Sequence, residues 1–422
     1  MDLDHVAADL TQSSFTDIAK QLPSSTIGSV QSILQAARVH LGMDVAFVSE
    51  FVGRVRYFRN VDVKSSGRPA PLRVGDSMPL ADGYCLRVVE GTLPELIPDT
   101  ALVPAALALP DTTALPIGSH LSVPIRLSDG HVYGTFCCFS YVADRTLNER
   151  DLAFMRAFAD VAAYQIESDL DLGAQRLERS LRIQTALDRG LPSMAYQPAV
   201  DLHSMRVLSL ECLARFDAEP RRGPAEWFAE ASGVGKGALL ELQSIRNAVR
   251  EIAAADLPPT LTINLNASAQ TVTDHDLRDT LGGFPLDRVV LELTEHDHVA
   301  DYAPLMKALR PLREAGMRVA IDDAGAGYSS MSHILNISPD VIKLDISLTQ
   351  RIDADRKRRA LAAALIEFGR QTQCEIVAEG VETRDELETL RGLGVQMAQG
   401  YFISPPVAID RVDALIKSFP GR

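Results

Sequence analysis

The segment Leu210-Glu211-Cys212-Leu213-Ala214-Arg215 places a carboxylate at the end of an apolar run and an arginine four positions on; Ile321-Asp322-Asp323 repeats the first part with two carboxylates. The pattern recurs along the whole C-terminal half. Apolar runs at 207–210, 261–265, 289–293, 318–321, 341–344 and 375–378 lead to Glu211, Asn264, Glu292, Asp322 with Asp323, Lys343 with Asp345, and Glu379, and Gln399 follows a further short run. One polar group at a strand end could cap a helix, but so many oxygen donors repel one another unless cations sit among them. The set contains no Cys and no His, which favours hard ions, Mg²⁺ or Mn²⁺, over zinc. The adjacent Asp322-Asp323 pair suits two metals a few ångströms apart, the arrangement that cleaves phosphoesters by in-line displacement.

These groups need a scaffold that brings several strand ends to one rim. Continuous apolar β-branched runs alternating with helix-like stretches predict parallel strands buried on both faces. About 230 residues of such repeats fit a (β/α)₈ barrel, whose reactive groups lie at the C-terminal strand ends. A dinucleotide-binding sheet would want a Gly-rich turn after its first strand, and the sequence has none.

The N-terminal part has a different texture. Ile27, Val30, Ile33, Leu34 and Ala37 recur at helical spacing over 26–40. Strand-like runs follow at 45–51 and 54–60, then at 121–126 and 132–140 around the Ser128-Asp129-Gly130 turn. An amphipathic helix is expected over 148–166, with Leu152, Met155, Phe158, Ala159, Ala162 and Ile166 on one face. It continues through Leu170, Leu177 and Leu181 with an irregularity at Gly173, and its thin apolar seam suits a connecting or dimer-forming helix. The expected organisation is an arm at 1–22, an α+β sensor unit at 23–168, a connecting helix at 169–190 and the barrel at 191–422.

At 422 residues, two domains of ordinary size are expected. The net charge of −14 supplies no basic field for a nucleic-acid backbone, so no nucleic-acid partner is expected. Five scattered cysteines without CxxC spacing read as a reduced, cytoplasmic protein. The acidic Met1-Asp2-Leu3-Asp4-His5 lacks the basic n-region and apolar core of a signal peptide, and no apolar run approaches the roughly 20 residues that span a bilayer, so neither a leader nor a membrane partner is expected.

The segment from Tyr196-Gln197-Pro198 into Glu211-Cys212-Leu213-Ala214-Arg215 resembles the opening of EAL domains, the cyclic di-GMP phosphodiesterases. The resemblance continues in order through Ile263-Asn264-Leu265-Asn266, Glu292-Leu293-Thr294-Glu295, Ile321-Asp322-Asp323, Gly325 to Ser330, Asp340 to Asp345, Ala378 to Glu382 and Gln399 to Phe402. It implies a two-metal Mg²⁺ or Mn²⁺ site that cuts cyclic di-GMP to linear pGpG. Glu211, Asn264, Glu292 and Asp322 would coordinate one metal, and Asp323 would serve the second. Lys343 would hold the attacking water, and Glu379 would be either general base or metal ligand. Arg215 would grip a phosphate; Gln197, Leu213, Asp345 and Gln399 would contact substrate. Glu295 and Glu382 would brace loops.

Three positions depart from the commonest pattern of that family: Cys212 for an alanine, and Ala324 and Ala326 for an aromatic and a threonine. The two alanines remove an anchor and one capping bond from the loop that presents Asp323. With every ligand retained, the expected function is metal-dependent phosphodiesterase activity; the alternative is a non-catalytic cyclic di-GMP receptor that signals by partner contact.

The N-terminal unit resembles a GAF domain, by pattern from its first helix through Gly134-Thr135-Phe136-Cys137-Cys138 to its last. This implies a small-molecule ligand of unknown identity or a dimer scaffold, regulation of the barrel, and a homodimer. Asp82-Gly83-Tyr84-Cys85 invites a covalent-chromophore or redox reading, but Leu86 follows where chromophore-bearing relatives carry a histidine; Cys85 reads as a small core hydrophobe, with a reactive role as the alternative. Glu295-His296-Asp297-His298 reads as a solvated helix start, Gly233 to Gly237 as a turn without Walker spacing, and Arg356 to Arg359 as a solvated basic face.

Overall fold

The computed structural model describes residues 24–65, 71–293, 299, 301–324 and 329–419. The expected arm at 1–22, Glu295 with its His296-Asp297-His298 neighbours, and Ala326 lie outside them. The chain divides into two compact units, Met1–Glu178 and Arg179–Arg422.

The first unit is built on one antiparallel sheet of β1 (Val45–Val52), β2 (Val55–Val63), β3 (Ser77–Pro79), β4 (Leu96–Ile97), β5 (Ser119–Arg126) and β6 (Val132–Ser140), in the order β3-β2-β1-β6-β5-β4. Alternation along β6 sends Phe136 and Cys138 to one face and Cys137 and Phe139 to the other, as the period of two requires. The first face packs against helices Ser24–His40 and Glu149–Asp188 through Val30, Leu34, Met155, Ala159 and Ala162. The second packs against the short helix Tyr84–Val89 and its neighbours. Helix Glu149–Asp188 runs unbroken for 40 residues, so the irregularity expected at Gly173 is absent. One helical glycine costs only about 1 kcal/mol relative to alanine and does not by itself stop a helix.

The second unit is a closed barrel of eight strands: β7 (Ser193–Asp201), β8 (Val207–Arg215), β9 (Thr262–Ala267), β10 (Val289–Leu293), β11 (Arg318–Ala324), β12 (Val341–Leu344), β13 (Glu375–Ala378) and β14 (Met397–Ala398). Its order, β10-β11-β12-β13-β14-β7-β8-β9, departs from an all-parallel barrel at one strand: β7 runs antiparallel to both β8 and β14. Only residues 202–206 join β7 to β8, too few for the crossover that a parallel pair needs, so the two form a hairpin.

Ala199, Val290, Ala320, Val341, Val377 and Met397, one from each of six strands, form a single buried cluster. A larger apolar shell lies between the strands and helices such as Gly237–Ala254 and Arg356–Thr372. Among the described residues, no helix is long and apolar enough to cross a membrane.

Candidate functional site

The six-residue apolar cluster fixes where the polar groups stand. Side chains two apart on a strand share a face, so the next inward position after each plug residue is set by sequence. Val290 leads to Glu292, Ala320 to Asp322, Val341 to Lys343, Val377 to Glu379 and Met397 to Gln399. On β7 the same level is reached two residues earlier, at Gln197 before Ala199, because that strand runs the other way. Glu211 joins the level by pairing with Gln197 on one side and Asn264 on the other.

Lys343 stands at the centre of this layer with no solvent exposure. Its Nζ lies 2.7 Å from Glu379 Oε1, 2.8 Å from Glu292 Oε2, 3.0 Å from Asp322 Oδ1 and 3.5 Å from Glu211 Oε1. Asn264 Nδ2 donates to Glu292 Oε1 at 2.7 Å. Gln399 Nε2 donates to Glu211 Oε2 at 2.5 Å and to Glu379 Oε1 at 2.9 Å, tying together carboxylates carried by the second and the seventh strands of the barrel. Four acidic side chains therefore share one ammonium, more negative charge than a single lysine can neutralise if all four ionise.

The charges perturb one another accordingly. Burial opposes the Lys343 ammonium, but Asp322, Glu211, Glu292 and Glu379 outweigh it and hold its pKa well above the lysine range. Burial pushes the Glu292 carboxyl up to about 8, with Lys343 pulling it down and Glu211 and Asp322 pushing it further up. Burial also raises Glu379 well above the carboxylate range, against Lys343.

Asp322 and Asp323 are adjacent, and in a regular strand they would face opposite sides of the sheet. Here the register of β11 against β12 shifts between Ile321 and Ala324, and Asp323 takes a left-handed backbone with φ of 55°. A bulge re-aims side chains in this way. It yields two groupings whose donor atoms lie within 4.8 Å of one another: Glu211, Glu292 and Asp322, and Asp322, Asp323 and Glu379. Asp322 is common to both. The side-chain oxygens Asn264 Oδ1 and Gln399 Oε1 are buried without a hydrogen-bond partner. The orphaned Asn264 oxygen beside crowded carboxylates fits a hard divalent cation, which takes oxygen ligands and supplies the missing positive charge.

Other expected site residues stand elsewhere. Gln197 is buried and donates to the carbonyl of Ser404 at 3.0 Å. Arg215 is exposed at the end of β8, with Nη1 2.8 Å from the carbonyl of Ala214. It lines, with Leu213, Phe228, Glu241, Asn266 and His275, a cavity of about 760 Å³ that begins one residue past Glu211 on β8. Asp345 does not join the carboxylates: it caps helix Ile346–Thr349 by accepting from the Ser347 amide at 2.8 Å. Ala324 is fully buried at the end of β11 and paired in register with Leu344.

Loop bracing falls to a residue that the sequence reading missed. Glu382 is exposed, whereas Glu386 is buried and accepts from the amides of Arg351 at 2.7 Å, Glu382 at 2.9 Å and Thr383 at 3.0 Å. Thr383-x-x-Glu386 is a capping box, a signal legible in the sequence. A second missed support is Thr349, whose hydroxyl donates to the carbonyl of Glu379. Between Glu379 and Glu382 the chain passes through Gly380 at φ of 60°, where a Cβ would fall 2.3 Å from Ile346 Cγ1. Only glycine allows the β12 and β13 loops to close on each other there.

The EAL domain model matches residues 180–406 and the GAF domain model residues 27–166. The chain is 31% identical over 285 residues to the probable cyclic di-GMP phosphodiesterase PdeG of Escherichia coli, across 64% of this chain and 54% of that protein. It is 33% identical over 292 residues to an uncharacterized protein of Sinorhizobium fredii, across 65% of this chain and 34% of that protein. Among solved structures it is similar to the EAL enzyme Bd1971 in its cAMP- and cyclic-di-GMP-bound form, with 21% identity and a TM-score of 0.51 over 68% of this chain and 82% of that one, a likeness of fold. The chain spans about a third of the length of the first curated relatives it matches.

Proposed function

The chain belongs to the EAL-domain family, and from that premise we propose that it hydrolyses cyclic di-GMP to linear pGpG with divalent cations, Mg²⁺ or Mn²⁺, held at the barrel rim. The observation that carries the reading is the polar layer itself: four carboxylates within 3.5 Å of one buried ammonium, with an orphaned amide oxygen beside them. Glu211, Asn264, Glu292 and Asp322 would hold one cation, and Asp323 and Glu379 would help to hold the second, the two donor groupings having Asp322 in common. Bound there, such cations lower the pKa of water and neutralise charge on the phosphate. Lys343 fixes the carboxylates around itself and adds a positive charge beneath the reacting phosphate. Gln399 orients Glu211 and Glu379, and Arg215, exposed at the strand end, grips the second phosphate. The cavity beside Leu213 and Arg215 has room for one nucleotide base.

The GAF-matched unit regulates this activity, a reading supported by the single helix Glu149–Asp188 that begins in one unit and ends in the other. The expected assembly is a homodimer.

The test is direct. The protein is incubated with cyclic di-GMP and Mg²⁺ or Mn²⁺, the products are separated by chromatography, and the assay is repeated with Glu211→Ala. Conversion to pGpG that the variant lacks is the expected result. Binding of intact cyclic di-GMP without any pGpG would sink the hydrolase reading and make the chain a receptor.

A further inference from the structure

The first unit has a buried polar centre of its own. Cys85, in helix Tyr84–Val89, and Cys137, on β6, have no solvent exposure and their sulfurs lie 3.7 Å apart. Arg56 of β2, itself 1% exposed, points Nη1 at Cys85 Sγ at 3.2 Å and pairs through Nη2 with the buried Asp111. Ser122 Oγ lies 3.0 Å from Cys137 Sγ, and Cys137 Sγ lies 3.2 Å from Thr135 Oγ1, which in turn contacts Ser49 Oγ at 2.9 Å. The chain entering Cys85 passes so close to the ion pair that a Cβ on Gly83 would fall 2.3 Å from Arg56 Nη1 and 2.6 Å from Asp111 Oδ2.

Packing alone does not ask for this. Cys138, one residue on, shows what a packing cysteine looks like: its sulfur faces Met155 Sδ at 3.8 Å within the apolar cluster of the other sheet face. Burying a guanidinium costs several kcal/mol unless its partners use the charge, and Arg56 spends part of its charge on a sulfur. A cation beside a thiol favours the thiolate, the reactive form.

We propose that Cys85 and Cys137 are a redox-active dithiol that hydrogen peroxide converts to a disulfide inside the N-terminal unit. The two sulfurs are chemically unequal. The hydrogen bond from Cys137, against burial, together with the Arg56 charge pulls the Cys85 thiol down to about 5. Burial pushes the Cys137 thiol well above its ordinary value. Cys85 is therefore the attacking thiolate and Cys137 the resolving thiol.

The Cys85 thiolate attacks one peroxide oxygen, the O–O bond breaks, and a sulfenic acid forms as hydroxide leaves. Cys137 gives its proton to that hydroxide, forming water, and its sulfur attacks the sulfenic sulfur. The S–S bond forms, the S–O bond breaks, and the second hydroxide leaves and takes a proton from solvent. Two thiols lose two electrons and one peroxide becomes two waters. Complete burial restricts the oxidant to one small and uncharged, which selects hydrogen peroxide over a bulky disulfide. The 3.7 Å gap has to close to the roughly 2.05 Å of an S–S bond.

The full chain is treated with hydrogen peroxide while folded, alkylated after denaturation and digested without reduction. Mass spectrometry should find the Cys85 and Cys137 peptides joined as the main product, restored to free thiols by a dithiol reductant, with Cys138 alkylated as in untreated protein. In Cys137→Ser the same treatment should leave the Cys85 peptide heavier by oxygen and unjoined. Free Cys85 and Cys137 after peroxide, or Cys85 oxidised past the sulfenic acid in the wild-type chain with no joined pair, would overturn the proposal.

Discussion

Lys343 Nζ and Glu292 Oε2 lie 2.8 Å apart, and neither side chain has any contact with solvent. A fully buried ion pair contributes little when intact but costs about 3–5 kcal/mol when one partner is removed, because the other charge is left uncompensated. Lys343→Met is therefore expected to lose turnover and to lower the stability of the metal-free protein by about that amount. A divalent cation should recover part of the stability, since it replaces the missing positive charge. Thermal unfolding with a chelator and with Mn²⁺ checks this; a variant as stable as the parent in chelator would contradict it.

Gln399 Nε2 spans Glu211 Oε2 and Glu379 Oε1 at 2.5 and 2.9 Å. Groups that orient metal ligands without binding the metal are worth about 10–100-fold in affinity or activity. Gln399→Leu should weaken Mn²⁺ binding by about that factor, with turnover recovering at raised Mn²⁺. Calorimetric titration of Mn²⁺ into parent and variant reads it, and equal affinities would assign Gln399 to the substrate instead.

The positions of these groups were legible in the sequence to the extent that strand runs were. An apolar β-branched run buried on both faces ends visibly, and Glu292, Asp322 and Lys343 each stand two residues past a residue of the apolar plug. What the linear pattern hid was direction and local backbone. The antiparallel sense of β7 follows from its short connection to β8, yet without it Gln197 has no reason to share a level with Gln399. Gly173 looked like a break and is not one, because the helix on either side holds. Glu382 looked like the brace, but Glu386, in the capping box, takes three amides. Cys85 read as a lone small hydrophobe since its partner is 52 positions away.

Asp323 holds a left-handed backbone at φ of 55°, which costs a residue with a Cβ about 1 kcal/mol. Glycine adopts that conformation freely. Asp323→Gly should therefore leave the metal-free protein at least as stable as the parent while turnover collapses, because the second grouping of donors loses a carboxylate. Asp323→Asn keeps the backbone tolerance and tests the charge alone. Loss of stability in the glycine variant would show that the carboxylate holds the bulge together.

His120 gives the N-terminal unit a pH dependence of definite sign. Its ring is 1% exposed, lies against Tyr84 with centroids 4.3 Å apart, and has no hydrogen-bond partner at Nδ1. Burial, reinforced by the Arg56 charge, pulls its pKa from 6.5 down to about 3. Between those values the unfolded chain holds a proton that the folded chain does not. Stability therefore falls as pH drops below about 6.5, by up to about 1.4 kcal/mol per pH unit, and the loss levels off near the folded value. Above pH 6.5 this residue contributes no slope. His120→Phe keeps a ring against Tyr84 and leaves no orphaned nitrogen, so its unfolding transition should be flatter across pH 4–6 by about one proton's worth of slope. Denaturant unfolding of the parent and variant at several pH values measures this difference, and parallel profiles would mean that His120 is charged in the folded unit.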